Sequence, residues 1–142
     1  MKKKITYFKD FVMTHQDFMI CPHCTETLNL DNNSLKCSMN HQFDIHKKGY
    51  VSLVKNHKLK VDAVYNKVLF EARRRFIDGH YYQSVYDIIR PYLKDGEVWC
   101  DLGSGEGSHA HHIMKDKSLS MIALDLSKDA IQQASDYLVE GR

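Results

Sequence analysis

The sequence predicts an α/β chain in two parts, a small zinc ribbon followed by the first part of a Rossmann-like domain. Three observations predict it. Cys21, Cys24, Cys37 and His41 fall into the spacing C-x2-C-x12-C-x3-H, so three of the four cysteines share one pattern. Further on, the apolar run Val98-Trp99-Cys100-Asp101-Leu102 breaks into Gly103-Ser104-Gly105-Glu106-Gly107, and a second short run ends in Asp125. The charge also divides: residues 1–60 hold ten lysines against five acids, +5, and residues 61–142 hold ten basic against thirteen acidic residues, −3. The expected divisions are a zinc-ribbon module over 1–54, a polar linker over 55–66, and the α/β part over 67–142.

The first twenty residues are weakly amphipathic. Ile5, Phe8 and Val12 can share a helical face, with Phe11 nearby, which predicts a short helix or arm packed on the zinc module. Leu28, Leu30 and Leu35 alternate around Asn32-Asn33, the pattern of a hairpin across a turn. Phe43, Ile45, Tyr50, Val51 and Leu53 give further strand-like pieces around Gly49.

Zinc takes a tetrahedron of thiolates and imidazoles, and two tight turns can each supply a pair. Four protein ligands fill that sphere and leave no position for a reacting water, so the expected zinc is structural. His23 and His46 compete for the fourth place. His23 lies inside the first turn, where its side chain points away from the metal, and His46 is nine residues beyond Cys37. His41 is the preferred ligand. So small a core needs the ion to fold.

The start Met1-Lys2-Lys3-Lys4 imitates a signal peptide, but Lys9, Asp10, His15 and Asp17 interrupt what should be its apolar stretch. No apolar run is long enough for a membrane helix. The expectation is a cytoplasmic protein without a membrane partner, where cysteines serve metal sites more often than disulfides. A basic zinc module also suggests a polyanion as partner.

Helical patterning resumes at Lys67. Val68, Leu69, Ala72, Phe76 and Ile77 are expected to form one buried face, ending at Gly79. Arg73-Arg74-Arg75 spread around this helix; a solvated face is the default, with one or two meeting phosphate or acidic neighbours as the alternative. A second helix should bury Tyr82, Val85, Ile88, Ile89 and Tyr92, and Pro91 should end or kink it. Another helix is expected from Ser108, a strand over Met121–Asp125, and a helix capped by Ser127 with Asp129 in its first turn. Its buried face should be Ala130, Ile131, Ala134, Tyr137 and Leu138.

Strand, glycine loop, helix, strand, acid and helix open a doubly wound domain, whose ligands bind where strand ends meet loops. Glycines let the backbone approach such a ligand. A dinucleotide fingerprint wants a small residue at 108, where Ser108 is tolerated rather than preferred. The acids Asp101 and Glu106 suit a pyrophosphate badly and a cationic ligand well. S-adenosylmethionine carries a sulfonium and an ammonium and no phosphate, and Asp125 is placed to accept from ribose hydroxyls. Adenosylmethionine therefore stands ahead of NAD or FAD and of a purely structural turn. Cys100 is expected to face either the core or the cofactor, with core burial the default for a lone cysteine. His109, His111 and His112 are expected to be solvated or partly packed.

The motifs Cys21-Pro22-His23-Cys24, Cys37-Ser38-Met39-Asn40-His41-Gln42-Phe43-Asp44, Lys48-Gly49-Tyr50-Val51, Ala72-Arg73-Arg74, Phe76, Gly79-His80-Tyr81 and Asp101–Gly107 occur in this order. In that combination the chain resembles the zinc-containing 23S rRNA guanine-N1 methyltransferases, from about residue 18 to its end. The resemblance implies methylation of guanine N1 in an rRNA hairpin loop, with S-adenosylmethionine as cofactor and the zinc module helping to recognise RNA. It implies that Tyr81, Glu106 and Gly107 line the cofactor site, beside Asp101, Gly103, Gly105 and Asp125 of the loop and strand ends. A homodimer is a candidate assembly, and one branch of the family confers resistance to macrolide-type antibiotics. A domain of this kind needs several more strands, so the resemblance implies an N-terminal portion, not active alone. A zinc-dependent RNA-binding module without catalysis is the alternative, and no catalytic residue is assigned.

Overall fold

A computed structural model describes residues 2–54 and 64–140; of the expected linker, residues 55–63 lie outside the described residues. The chain divides into two compact units, Met1–Lys60 and Val61–Glu140.

In the first unit, α1 (Lys4–Thr14) precedes four short strands, β1 (Asn29–Asp31), β2 (Ser34–Lys36), β3 (Gln42–His46) and β4 (Tyr50–Val51). They pair antiparallel in the order β1-β2-β3-β4. Asp31 pairs with Ser34 across the Asn32-Asn33 turn, and Asn32 takes φ 51°, a conformation asparagine tolerates well. Gly49, at φ 76°, turns β3 into β4. The core is Val12, Met19, Leu28, Leu35 and Ile45 together with Cys21 and Cys37. Ile5, Phe8 and Phe11 pack on it, so the amphipathic helix does cover this module. Each fully buried leucine contributes about 1.5–3 kcal/mol by leaving water. Leu28 and Leu35 are the only leucines among the buried residues of this cluster, too small a core to dispense with the metal.

The second unit begins with α2 (Lys67–Asp78), capped by Asn66, whose side chain accepts from the backbone N–H groups of Val68 and Leu69 at 3.0 and 3.2 Å. The buried face differs in part from the expected one. Ile77 is buried as expected and Phe70 joins it, while Val68 is 71% and Phe76 53% exposed. The helix is turned so that Arg73 and Arg74 lie between the two buried residues and reach inward.

In α3 (Gln83–Ile89) the expected stripe is also displaced: Val85, Ile88 and Tyr92 are exposed and Tyr86 is buried. The reason is polar as well as apolar. The Tyr86 hydroxyl lies 2.8 Å from His109 Nδ1, and its ring stacks on His112. Pro91 falls in a 3-10 turn, Arg90–Tyr92, that ends the helix as expected.

β5 (Val98–Leu102) leads through the glycine loop into α4 (Ser108–Ile113), then β6 (Ser120–Leu124) and α5 (Lys128–Ala134). β5 and β6 are parallel, with Val98 opposite Ser120 and Leu102 opposite Leu124. Trp99 and Met121 pack with Leu93, Met114 and Leu119 on one face. Alternation puts Cys100 and Leu102 on the other face, and there both are exposed, so Cys100 is not the core residue the sequence suggested. Ser127 caps α5 by accepting from Ala130 N–H. Ala130 is buried as expected, and Gln133, which the apolar pattern omitted, is buried beside it. Among the described residues no helix is long and apolar enough to cross a membrane.

Candidate metal centre and glycine loop

Two turns build the first site. Thr25 N–H donates to the Cys21 carbonyl at 2.9 Å, and Asn40 N–H to the Cys37 carbonyl at 3.0 Å. Each turn needs one left-handed residue, Thr25 and Asn40, both at φ 64°. These turns bring the Cys21, Cys24, Cys37 and His41 ligand atoms within 4.8 Å of one another. Cys24 and Cys37 sulfurs are 3.6 Å apart, and His41 Nδ1 is 3.4 and 3.6 Å from the Cys37 and Cys21 sulfurs. Ligands tetrahedral about one zinc would sit about 3.7 Å apart for two sulfurs and about 3.5 Å for sulfur and nitrogen. The residues present fit the ion.

Neither competing histidine belongs to this cluster, although the His23 ring lies 5.0 Å from that of His41. His23 stacks on Phe43, rings 5.8 Å apart, and His46 Nδ1 accepts from the Lys48 backbone N–H at 3.2 Å. Burial opposes ionisation of the Cys21 thiol, yet the backbone N–H groups of His23 and Cys24 and the neighbouring thiols bring it down to about 7. For Cys24, the Glu26 backbone N–H favours the thiolate, but burial and the sulfurs of Cys21 and Cys37 outweigh it and push the thiol up to about 11. One thiolate thus forms readily and holds back the next, a repulsion that a divalent cation removes.

The second site lies at the ends of β5 and β6. Gly103, Gly105 and Gly107 all take positive φ, 77°, 58° and 80°, which glycine alone adopts without strain. Gly103 and Ser104 N–H groups donate to the Leu124 carbonyl, tying the loop to β6. Asp125 does the same from its side chain: Oδ2 accepts from Gly105 N–H at 2.9 Å and Oδ1 from Ser127 N–H at 2.7 Å. A Cβ on Gly107 would stand 3.1 Å from Ala134 Cβ. This glycine therefore permits the close approach of α5, the packing role the dinucleotide fingerprint would give to position 108.

Glu106 is 1% exposed, and neither carboxylate oxygen receives a hydrogen bond among the described residues. Its ion-pair partner among the described residues is Arg73, Nε to Oε2 at 3.7 Å. Arg74 instead donates to the carbonyls of Glu106 at 3.3 Å and Gln133 at 2.7 Å, with its guanidinium over the Tyr137 ring. The solvated-face default holds only for Arg75, which is exposed, whereas Arg73 and Arg74 are half-buried. Burial raises the Asp101 carboxyl pKa, with His109 opposing and Asp125 reinforcing. Burial and then the Arg73 charge lower that of His109, so the imidazole is held neutral beside the loop.

Asp101, Gly103, Gly105, Glu106, Gly107 and Asp125 come together around this turn. The contacts of Tyr81 run elsewhere: it is 72% exposed and stacks on Phe76, rings 4.6 Å apart. The alternative for the arginine triplet, one or two meeting acidic neighbours, is met by Arg73 at Glu106 and Arg74 at Asp136, whereas a histidine cluster at helix spacing carries no mark of what His109 will face.

Residues 19–59 match the zinc-ribbon family described as RlmA, N-terminal. Over 126 residues the chain is 28% identical to the 23S rRNA (guanine(748)-N(1))-methyltransferase of Streptomyces fradiae, a match covering 83% of this chain and 44% of that relative. The chain thus spans under half the length of the relative it matches. Together the two matches bear out the resemblance of this chain to the N-terminal portion of the zinc-containing 23S rRNA guanine-N1 methyltransferases.

Proposed function

We propose that the chain acts in S-adenosylmethionine-dependent methylation of guanine N1 in a hairpin loop of 23S rRNA, as the N-terminal portion of such an enzyme. The observation that carries the reading is Glu106, a buried carboxylate inside a glycine loop whose oxygens receive no hydrogen bond among the described residues. Such a group wants a donor-rich, cationic ligand and repels a pyrophosphate. It lies within the stretch similar to a methyltransferase of known name, which supports the same choice.

When bound, the cofactor supplies an electrophilic methyl group. In this reading Glu106 and Asp101 provide the negative field for it, and Asp125 accepts from its ribose. Gly103, Gly105 and Gly107 let the backbone come close, and Tyr81, which stacks on Phe76 in this structure, is assigned to the cofactor by the resemblance alone. The zinc unit offers its lysines to RNA phosphates. The reaction places the protein in the cytoplasm with its rRNA. Primer extension on 23S rRNA from cells with and without the gene tests the proposal. An N1 methyl blocks the pairing edge and stops reverse transcription, so one stop should vanish with the gene; an unchanged pattern rejects the assignment.

The charge of +5 over residues 1–60 favours a second reading, RNA binding without catalysis. In that case hairpin RNA should bind with an affinity that falls steeply with salt, while the reverse-transcription pattern stays the same. A flat salt response would remove phosphate recognition from either reading.

A further inference from the structure

We propose that Arg73 competes with the cationic cofactor for the Glu106 carboxylate, an internal counter-ion that must leave the glycine loop before the cofactor can enter. The inference rests on the cofactor reading above and adds a gate to that site. The guanidinium of Arg73 covers Gly105: its Nη1, Nη2 and Cζ lie 3.5, 3.6 and 3.7 Å from the point a Cβ there would occupy. The space that the glycine leaves open is the space this arginine fills.

The pairing is built to be exchanged. Arg73 Nε stands 3.7 Å from Glu106 Oε2, an ionic separation too long for a hydrogen bond. Arg73's side chain is 38% exposed and Glu106's 1%. The cation can swing to water, and the carboxylate cannot. A buried carboxylate left without any cation is costly, so the loop keeps one positive partner at all times, either Arg73 or the ligand. Arg74 makes the contrast: two carbonyls and the Tyr137 ring hold it in place, and its role is to tie α2 to α5.

The test compares wild type, Arg73→Met and Arg73→Lys, each in the full-length enzyme of which this chain is read as the N-terminal portion. Calorimetry measures binding of S-adenosylhomocysteine, which carries the ammonium, and Trp99 fluorescence follows thermal unfolding with and without it. Arg73→Met should unfold at a lower temperature without ligand yet bind roughly two- to fivefold more tightly, the scale of a partly exposed ion pair. Arg73→Lys, keeping the charge, should bind like wild type. A purely structural arginine would lower both stability and affinity. If Arg73→Met binds equally or more weakly while wild type binds, the competition is overturned and the cofactor site stands. If neither wild type nor any variant binds, the cofactor reading itself falls and takes the inference with it. Should Arg73→Met fail to fold, Arg73→Gln carries the same test with a neutral side chain that can still donate.

Discussion

The two sites are built on opposite plans. The metal centre draws all four ligands from residues 21–41 and closes them with two tight turns. The glycine loop draws its electrostatic partner from α2, where Arg73 lies far back in sequence from Glu106. A local site stands or falls with its ion. A site assembled from distant elements can be altered piecemeal, and its occupancy can be regulated by any one of them.

The sharpest break in this comparison comes from Cys24→Ser. It removes a thiolate from the closed centre, and most of the first unit's folding energy depends on the metal. Metal analysis should drop from about one zinc per chain to near none. Hydrogen exchange should become fast over residues 21–51 and stay slow in β5 and β6. Retention of full zinc content would reject the ligand set.

Gly105→Arg should be the largest single perturbation of the second site. The new side chain would point at the Arg73 guanidinium and would start from a φ of 58° that side chains rarely adopt. In the full-length enzyme, calorimetry should detect no S-adenosylhomocysteine binding, while zinc content remains that of wild type. Normal binding would mean that residues 101–107 are not the cofactor site.

The same contrast explains what could be read in advance. Ligand spacing within one short stretch fixes geometry almost by itself, so Cys21, Cys24, Cys37 and His41 were legible. The order of strand, loop, helix and strand was legible too, because apolar runs, glycines and Ser127 as a cap are local signals. Which side of α2 and α3 faces inward was not. Apolar periodicity favoured Val68, Phe76 and Ile88, and the fold instead turned Arg73, Arg74 and Tyr86 inward, because Glu106 and His109 offered them polar partners. Partners of that kind become visible only when α4 is in place. Cys100 failed for a related reason: alternation along β5 was plain, but not which face α4 would cover.

Asp125→Ala should have a smaller effect than either glycine or zinc changes. The carboxylate accepts from Gly105 and Ser127 N–H groups, so its loss leaves two backbone donors unsatisfied, while the Gly103 and Ser104 bonds to Leu124 still tie the loop to β6. The expected destabilisation is about 1–3 kcal/mol, read by urea unfolding of Trp99. Cofactor affinity should weaken by a comparable amount through the lost ribose acceptor. An effect on binding with none on stability would give Asp125 the ligand-facing role alone.

The mildest expected effect is a pH dependence confined to the second unit. Burial and the Arg73 charge hold the His109 pKa below its ordinary value. Below about pH 6.5 the unfolded chain therefore takes up a proton that the folded one refuses. Stability contributed by neutral His109 is complete above that pH and is lost as pH falls through the lowered folded value. The slope should not exceed about 1.4 kcal/mol per pH unit for one group. Acid also protonates the zinc thiolates, so the measurement must report on the second unit, and Trp99, the chain's single tryptophan, does so. Asp101 has the opposite sign, since burial raises its pKa and its protonation favours the folded state at lower pH. Comparing wild type with His109→Gln separates the two. The variant should lose the slope just below pH 6.5 and keep the Asp101 contribution. An identical profile in both proteins would mean that His109 titrates freely despite its contact with Tyr86.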